Sequence, residues 1–345
     1  MNVLLTGHKG YIGSLMAPLL LQVGHVVHGL DADLFEGCSF NEGGMISLPE
    51  TRKDLRDVER SDVEGFDAVV HLANLSNDPL GNLDPDLTYA INHRATVRLA
   101  ELAREAGVGR FIFSSSCSLY GAAGQYNVTE EADFNPVTPY GTAKVLAERD
   151  IRLLASERFS PVFMRNATVH GVSPRLRFDL VVNNLTAWAV ATGQIRMKSD
   201  GTPWRPLIHI EDVCTAFLSA LEAPREVVHN EAFNVGSSSE NYQVRDVATI
   251  VGEVVPECAV SFADGASPDM RSYQVAFEKI EERLGWTSKW TVRDGAEQVY
   301  KALRGLDLAP EVFEGQRYSR IAHIKMLLSE GRVSTDLRWT ESESV

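Results

Sequence analysis

A glycine-rich turn near the start of the chain limits the folds open to this sequence more than any other feature. Residues 2–6 form a short apolar run, and glycines follow it at every third position from Gly7 to Gly13. Apolar residues then recur at helical spacing as far as Val23, and a second apolar run occupies residues 25–30. This order of strand, glycine turn, helix and strand predicts a βαβ unit.

The alternation of strand-like and helix-like segments continues to about residue 170. Strands are predicted at 68–71, 110–114 and 161–165, and long helices at 86–106 and 141–157. Helices that alternate with buried strands predict an α/β fold of the Rossmann type, with a doubly wound parallel sheet. Beyond residue 170, prolines and glycines divide the chain into shorter pieces, with helix-like segments at 179–191, 211–222, 243–254 and 293–304.

This change of character predicts three parts. Residues 1–170 are expected to form the Rossmann domain, with some segments of 205–236 returning to it. Residues 171–310 are expected to form a smaller C-terminal substrate-binding lobe. Residues 311–345 are expected to form a terminal helix, with its main body at 316–330, and a disordered tail.

Charge and composition exclude several classes of function. The formal net charge is −14, and a chain this acidic lacks the basic surface that nucleic-acid binding needs. The sequence contains no run of about 18 apolar residues, so no membrane helix is predicted. The apolar stretch at its start is too short for a signal peptide, and we therefore expect a cytoplasmic protein. The four cysteines form no C-x-x-C pair and the nine histidines show no ligand spacing, so no metal site is expected.

The glycine turn has the spacing of a dinucleotide-binding loop. Gly7, Gly10 and Gly13 would let the backbone approach a pyrophosphate at the helix N-terminus. Asp31 ends the second strand, where its carboxylate can accept hydrogen bonds from a ribose and repel a 2′-phosphate, which favours NAD over NADP. Asp54 and Leu55 are placed to border the adenine. The alternative for the glycines is an ordinary strand-to-helix turn. For Asp31 it is a turn aspartate, and for Asp54 and Leu55 it is a helix start.

A serine, a tyrosine and a lysine form the second constellation. Ser116 follows the strand RFIF, and Tyr140 and Lys144 lie four residues apart at the start of a helix. Positions i and i+4 share a helix face, so the lysine charge can favour the tyrosine phenolate. Such a tyrosine can exchange a proton with a substrate hydroxyl while a nicotinamide takes or returns hydride. A Y-x-x-x-K pattern alone arises by chance in many helices, and here the glycine turn and Ser116 give it meaning.

Seven segments in order resemble one family. They are TGHKGYIG (6–13), VVHLAN (69–74), INHRAT (91–96), FSSSCSLYG (113–121), NPVTPYGTAK (135–144), RPLIHIEDV (205–213) and FNVG (233–236). With these segments, the first 300 residues resemble the extended short-chain dehydrogenase/reductases, among them the NAD-dependent nucleotide-sugar epimerases and dehydratases. The resemblance implies catalytic roles for Ser116, Tyr140 and Lys144. It implies NAD contacts for Gly7, Gly10, Tyr11, Ile12, Gly13, Asp31, Asp54, Leu55, Leu72, Ala73, Ser114, Tyr140 and Lys144.

The resemblance also implies a site for a nucleotide-diphosphate sugar. Its residues would be Ser116, Thr168, Asn183, Asn184, Leu185, Arg205 and Arg271, and the two arginines would bind the diphosphate. A surface ion pair for each arginine and helix capping for the asparagines are the alternatives. The sequence departs from the family at RNATVHG, where Thr168 and His170 replace an asparagine and a tyrosine. His170 is therefore either structural or directed at the substrate.

The residues after Ser116 bear on the reaction. The family's dehydratases carry Asp-Glu there, whereas this chain has Cys117 and Ser118, which argues against dehydration as its reaction. Adjacent strand positions face opposite sides, so Cys117 is expected to pack rather than react. The resemblance then implies an NAD-dependent C4 epimerase working through a 4-keto intermediate. A 4-ketoreductase or dehydrogenase and a non-catalytic dinucleotide sensor are the alternatives. Family members pair through two long helices, which implies a homodimer here.

Overall fold

The computed structural model describes residues 1–40, 44–121, 127–197, 199–265 and 272–340. Within these residues the strands are β1 (Asn2–Thr6), β2 (Val26–Asp31), β3 (Glu50–Arg52), β4 (Ala68–His71), β5 (Arg110–Ser116), β6 (Ser160–Asn166), β7 (Thr168–His170), β8 (Gln194–Met197), β9 (Trp204–His209), β10 (Glu231–Val235), β11 (Asn241–Gln243) and β12 (Ala259–Phe262). The strands lie in three sheets.

The α-helices of the same residues follow in chain order. They are α1 (Gly13–Gln22), α2 (Asp78–Gly81), α3 (Pro85–Thr88), α4 (Thr96–Glu105), α5 (Pro139–Arg152), α6 (Val181–Thr192), α7 (Ile210–Glu222), α8 (Arg225–Val228), α9 (Val244–Val254), α10 (Glu278–Leu284), α11 (Val292–Leu303), α12 (Pro310–Phe313) and α13 (Arg320–Ser329). A π-helical turn, Tyr89–Ala95, joins α3 to α4. The predicted helix 86–106 is therefore one continuous helical stretch with a wide turn in it.

The largest sheet has seven strands in the order β10-β6-β5-β4-β1-β2-β3, and its pairs are parallel. Strand order reverses between β1 and β4, where successive connections leave to opposite sides. Strands β1, β4 and β6 are almost wholly buried, as apolar strands covered by helices on both faces must be. The α/β Rossmann-type fold with a doubly wound parallel sheet is confirmed.

The second half of the chain divides its strands between two places. Strand β10 joins the large sheet beside β6, and α7 packs against α1. Strand β9 instead pairs with β7 and β11 in a three-stranded sheet, and β8 pairs with β12. Within residues 205–236, β10 and α7 therefore lie with the large sheet and α1, whereas β9 continues the sheet that β7 starts.

The C-terminal segment, defined here as residues 310–340, folds back over the N-terminal half. It contains two helices, α12 and α13, and α13 lies within the range 316–330 predicted for the main body of the terminal helix. The helix is interrupted at Gly315, where an added Cβ would lie 2.6 Å from the Glu311 carbonyl oxygen, and it restarts after Ser319, whose hydroxyl accepts from the Ala322 amide. The tail at 341–345 lies outside the described residues.

An apolar cluster fastens this segment. Ile324, Leu327, Val333 and Leu337 of the C-terminal segment pack with Leu75, Leu80, Leu87 and Ile91, which follow β4. The Trp339 indole N–H donates to the Ala32 carbonyl oxygen at 2.7 Å, just after β2. The C-terminal segment therefore covers the chain just after β2 and β4, the two strands that flank β1 in the large sheet.

No helix of the described residues has both the length and the apolar character needed to cross a membrane.

Candidate active site

A cavity of about 1280 Å³ opens at the carboxyl ends of the strands on both sides of the reversal point. Ligands of open α/β sheets bind at this place, and small-molecule sites usually measure roughly 300–1,000 Å³. The predicted residues that line it are Gly7, Gly10, Tyr11, Ile12, Gly13, Asp31, Asp54, Leu55, Leu72, Ala73, Ser114, Ser116, Tyr140, Lys144, Thr168, Asn184, Leu185 and Arg205. The volume leaves room for a dinucleotide and a second ligand together.

The glycine turn follows β1 and begins α1. Gly7 has φ +75°, a left-handed conformation, and an added Cβ there would lie 2.7 Å from the Ala73 amide nitrogen. At Gly13 an added Cβ would lie 2.1 Å from the Gly7 carbonyl oxygen, so both positions require glycine for close backbone packing. The start of α1 has no side-chain cap, which leaves the positive end of its dipole toward the cavity for an anion.

Asp31, the last residue of β2, holds the position expected of a ribose-binding carboxylate. Its oxygens accept from the backbone amides of Lys9, at 3.0 Å, and Asp33, at 2.8 Å. The Lys9 ammonium is itself paired with Asp33 at 3.0 Å and with Glu50 at 2.9 Å. Because these carboxylates already neutralise Lys9, the surroundings of Asp31 stay unfavourable for a 2′-phosphate. The glycine turn and Asp31 together fit NAD.

Asp54 borders the same end of the cavity but has structural work as well. Its carboxylate accepts from the Arg56 backbone amide and forms a two-pronged ion pair with the Arg56 guanidinium, at 2.9 and 2.7 Å. These bonds fix the short helical turn in which Leu55 is buried. Asp54 therefore both caps this helical turn and lines the cavity.

Helix α5 brings Tyr140 and Lys144 to the cavity. Thr138 caps the helix, because its hydroxyl oxygen accepts from the Gly141 amide at 3.1 Å, and Pro139 occupies the first helical position. The Lys144 ammonium donates to the Ser114 carbonyl oxygen at 2.5 Å and lies 5.7 Å from the centre of the Tyr140 ring. Ser116, at the end of β5, lies on the same side of the cavity.

Burial sets the electrostatics of this group. It raises the pKa of the Tyr140 phenol to about 12; the Asp78 carboxylate adds to the rise, and a hydrogen bond with Ser116 opposes it. Burial lowers the pKa of the Lys144 ammonium to about 7, and the Glu148 carboxylate opposes this fall. A phenolate at Tyr140 therefore depends on positive charge close to it: the Arg177 guanidinium lowers the Tyr140 pKa, and the Lys144 ammonium lies 5.7 Å from the centre of the Tyr140 ring.

A buried network supports the back of the catalytic group. The Ser115 hydroxyl donates to Glu148 at 2.6 Å, and Glu148 forms a buried ion pair with Arg165 at 2.7 Å. Arg165 in turn donates to the Tyr120 hydroxyl at 3.0 Å. Since Glu148 lies one turn beyond Lys144 on α5, the network fixes the helix that presents the lysine.

Four polar residues at this cavity were not identified from the sequence. Arg177 donates to both oxygens of Asp179, at 2.8 Å each, and Asn77 donates to Asp179 at 2.5 Å. Asp78 accepts from the Thr138 hydroxyl at 2.6 Å. Asn77 and Asp78 lie at the start of α2 and Arg177 and Asp179 in the loop before α6; about a hundred positions separate Asn77 from Asp179, so no local spacing joins the two pairs. The sequence signal for this group was the alternation of arginine and aspartate in the segment SPRLRFD (173–179).

Two expectations about the substrate side need correction. Asn183 does not line the cavity; it is buried behind it, where its amide accepts from the Gly171 N–H and donates to the Arg177 carbonyl oxygen, both at 3.0 Å. His170, which had been considered as a substrate contact, is buried against His209, with ring centres 5.5 Å apart. Asn183 lies on α6 and His170 ends β7, and both side chains are used inside the protein, Asn183 by hydrogen bonds and His170 by packing.

Arg205 and Asn184 remain at the cavity as expected. The Arg205 guanidinium lies 6.0 Å from the centre of the Tyr273 ring and donates to the Trp204 carbonyl oxygen. Asn184 donates to the Phe178 carbonyl oxygen at 2.8 Å, and Leu185 lies next to it. Arg271, the second expected diphosphate ligand, falls outside the described residues. No metal-binding group of three or more His, Cys, Asp or Glu side chains occurs in the described parts of the chain.

Comparison with known proteins gives the same direction. Residues 3–236 match the model of the NAD dependent epimerase/dehydratase family. The UDP-glucose 4-epimerase of Mycolicibacterium smegmatis is 28% identical over 319 residues, covering 88% of this chain and 99% of the relative. The UDP-glucose 4-epimerase of Bacillus subtilis is 28% identical over 84% of this chain and 93% of its own. Among solved structures, MoeE5 in complex with UDP-glucose and NAD superposes with a TM-score of 0.75 at 28% identity, covering 88% of this chain and 99% of MoeE5.

Proposed function

This chain belongs to the NAD dependent epimerase/dehydratase family, and we propose that it inverts C4 of a nucleotide-diphosphate sugar through a transient 4-keto sugar. Relatives named as UDP-glucose 4-epimerases match it over most of their length, which supports a UDP-hexose as the substrate. The proposed catalytic residues are Ser116, Tyr140 and Lys144.

One observation carries the choice of reaction. The strand end that holds Ser116 has no carboxylate at the two positions after it, where the family's dehydratases carry their acid and base. Cys117 is buried with its thiol directed at the Arg165 carbonyl oxygen, 3.1 Å away, and burial raises its thiol pKa. Ser118 donates its hydroxyl to Ser116 at 2.9 Å. Epimerisation at C4 needs only the proton exchanged by Tyr140, so it fits this site without an added acid/base pair.

The residues divide the reaction between them. Bound NAD supplies the hydride acceptor and donor. Tyr140 takes the proton of the 4-hydroxyl as the C4–H bond breaks, and it returns that proton to the 4-oxygen when the C–H bond forms again on the opposite face. Ser116 donates a hydrogen bond to the same oxygen, and Lys144 stabilises the phenolate by its charge. Proton and hydride are both restored, so the reaction is redox-neutral overall.

The other half of the substrate is assigned to the opposite wall of the cavity. We propose that Arg205 binds the diphosphate, together with Asn184, Leu185 and Thr168, and that Arg271 contributes a second guanidinium. The planar guanidinium fork suits phosphate oxygens, and Arg205 is held near Tyr273, which limits its freedom. We also propose that residues 171–310 act as the substrate lobe and 1–170 as the NAD domain.

A homodimer completes the proposal. The π turn, α4 and α5 lie side by side on one face of the large sheet. Leu146 remains partly exposed on α5, and Leu153 just beyond it is 80% exposed. Apolar side chains on the outer side of α5, which lies beside α4, suit a self-complementary helical interface.

The replacement Tyr140→Phe, combined with labelling, tests the function. UDP-glucose or UDP-galactose is incubated in D2O and followed by NMR: C4 inversion without deuterium at carbon is expected, because hydride returns from the same cofactor. Tyr140→Phe should reduce kcat about 10²–10⁴-fold and leave NAD binding close to normal. Deuterium at C3 or C5, a net oxidised or reduced sugar, or full activity in the variant would each contradict the proposal.

A further inference from the structure

Arg320 is a buried cation at the cavity, supplied by the C-terminal segment. It is the first residue of α13, and only 3% of its surface is exposed. Its guanidinium lies 4.3 Å from the centre of the Phe35 ring and donates to the Arg175 carbonyl oxygen at 3.3 Å. Arg320 and the glycine turn line the same cavity.

The carboxylates near Arg320 are held by other groups. Arg177 holds both oxygens of Asp179. Asp33 lies between Lys9, at 3.0 Å, and Arg175, at 3.6 Å, and Asp31 accepts from two backbone amides. Within the described parts of the chain, Arg320 therefore has no carboxylate at ion-pair distance. Burial lowers the pKa of Arg320 to about 10, and the charge of Arg177 adds to this shift. A buried cation in such surroundings is stabilised by an anion placed in the cavity.

The position of this wall favours one of the two diphosphates that the cavity would contain. Phe35 follows Asp31 by four residues, on the side of the cavity assigned to the adenosine ribose. Arg177 adjoins the glycine turn, because the Asn183 amide donates both to the Tyr11 hydroxyl, at 3.2 Å, and to the Arg177 carbonyl oxygen, at 3.0 Å. The expected sugar-diphosphate ligand, Arg205, belongs to β9.

We propose that Arg320 binds the diphosphate of the dinucleotide, so that the C-terminal segment completes the cofactor site opposite the glycine turn. The glycine turn would hold one side of the diphosphate with backbone amides, and Arg320 would hold the other with a guanidinium. The family model ends at residue 236, so this ligand comes from a part of the chain beyond the family match. The proposal rests on NAD binding alone and is independent of the reaction at C4.

The experiment compares Arg320→Met with Arg317→Met. Arg317 lies three residues earlier in the same segment, is exposed, and donates to the Ser39 carbonyl oxygen. Calorimetry measures the affinity of each full-length variant, freed of nucleotide, for NAD, ADP-ribose, adenosine and UDP. Arg320→Met should weaken NAD and ADP-ribose about ten- to a hundredfold and leave adenosine and UDP unchanged. Arg317→Met should leave all four affinities unchanged.

Other outcomes overturn the proposal. Unchanged NAD affinity in Arg320→Met removes the residue from the site, and an equal loss for adenosine means that Arg320 only supports Phe35. A loss confined to UDP places it on the sugar nucleotide instead. Arg320→Lys keeps the charge and serves if the methionine variant does not fold: it should lose less NAD affinity than Arg320→Gln, and equal losses in these two variants would contradict a charge-based contact.

Discussion

At the scale of single residues, the Tyr140 phenol is the group whose proton is exchanged in the proposed reaction. The negative charge that acts on its pKa is the Asp78 carboxylate. The Asp78 carboxylate raises the Tyr140 pKa, and it lies at the cavity through its hydrogen bond from Thr138. A carboxylate there raises the pH at which the Tyr140 phenolate, the catalytic base, forms in the empty site.

Asp78→Asn should shift the pH dependence of kcat/KM. Removing the negative charge lowers the Tyr140 pKa, so the phenolate is available at lower pH and the rising limb of the profile moves toward acid. The asparagine still accepts from Thr138, which limits structural damage. Asp84→Asn is the matched control, because Asp84 caps α3 away from the cavity and asparagine caps equally well. A profile that stays in place, or that moves in both variants, would contradict the electrostatic role of Asp78.

Residues joined by local spacing were predictable, and residues joined only by the fold were not. Gly7 to Gly13, and Tyr140 with Lys144, lie within single turns of chain whose geometry the sequence dictates. The Arg177 guanidinium donates to the Ser76 hydroxyl at 3.1 Å although 101 positions separate the two residues. The sequence around either residue does not predict this contact. Asn183 shows the converse error, because a matching motif did not reveal that its amide is used by backbone groups behind the cavity.

At the scale of elements, the N-cap of α5 fixes the position of the catalytic Tyr140. Tyr140 is the second residue of the helix, so its position depends on how the first turn is fixed. Thr138 fixes that turn by accepting from Gly141, and it fixes α2 by donating to Asp78. A change at the cap should therefore affect both stability and the placement of the phenol.

Thr138→Ala should lower the free energy of unfolding by about 1 kcal/mol and reduce kcat as well. Thr291→Ala is the matched control, because Thr291 caps α11 in the same way, accepting from the Asp294 amide, and α11 does not border the cavity. Denaturant unfolding should show similar losses for both variants, whereas only Thr138→Ala should lose kcat. Equal kcat values in the two variants would show that the α5 cap has no part in catalysis.

The helices of both halves were predicted from periodicity to within a few residues, whereas the pairing of the strands in the second half was not. Strands β4, β5 and β6 are apolar runs between long helices, which leaves few other arrangements. Strand β9 is also buried, yet it pairs with β7 and β11 instead of the large sheet. Its pairing depends on where β7 points after β6, and that direction is a property of the packed structure that no local pattern encodes.

At the scale of the whole molecule, the proposed dimer depends on the outer side of α4 and α5. Leu146→Glu should convert the dimer to a monomer, because a charge would be buried in a helical interface. Leu306→Glu is the control, since Leu306 is 49% exposed in the loop after α11, away from these helices. Static light scattering measures both masses. A monomeric native protein, or a dimer that survives Leu146→Glu, would contradict the proposed interface.

The contact between Trp339 and Ala32 joins positions 307 residues apart. Ribosomes add about 5–20 residues per second, so roughly 15–60 s pass between the appearance of Ala32 and that of its partner. All seven strands of the large sheet lie before residue 236, so they are made before the C-terminal segment. Until Trp339 has been made, the loop after β2 lacks this contact with the C-terminal segment.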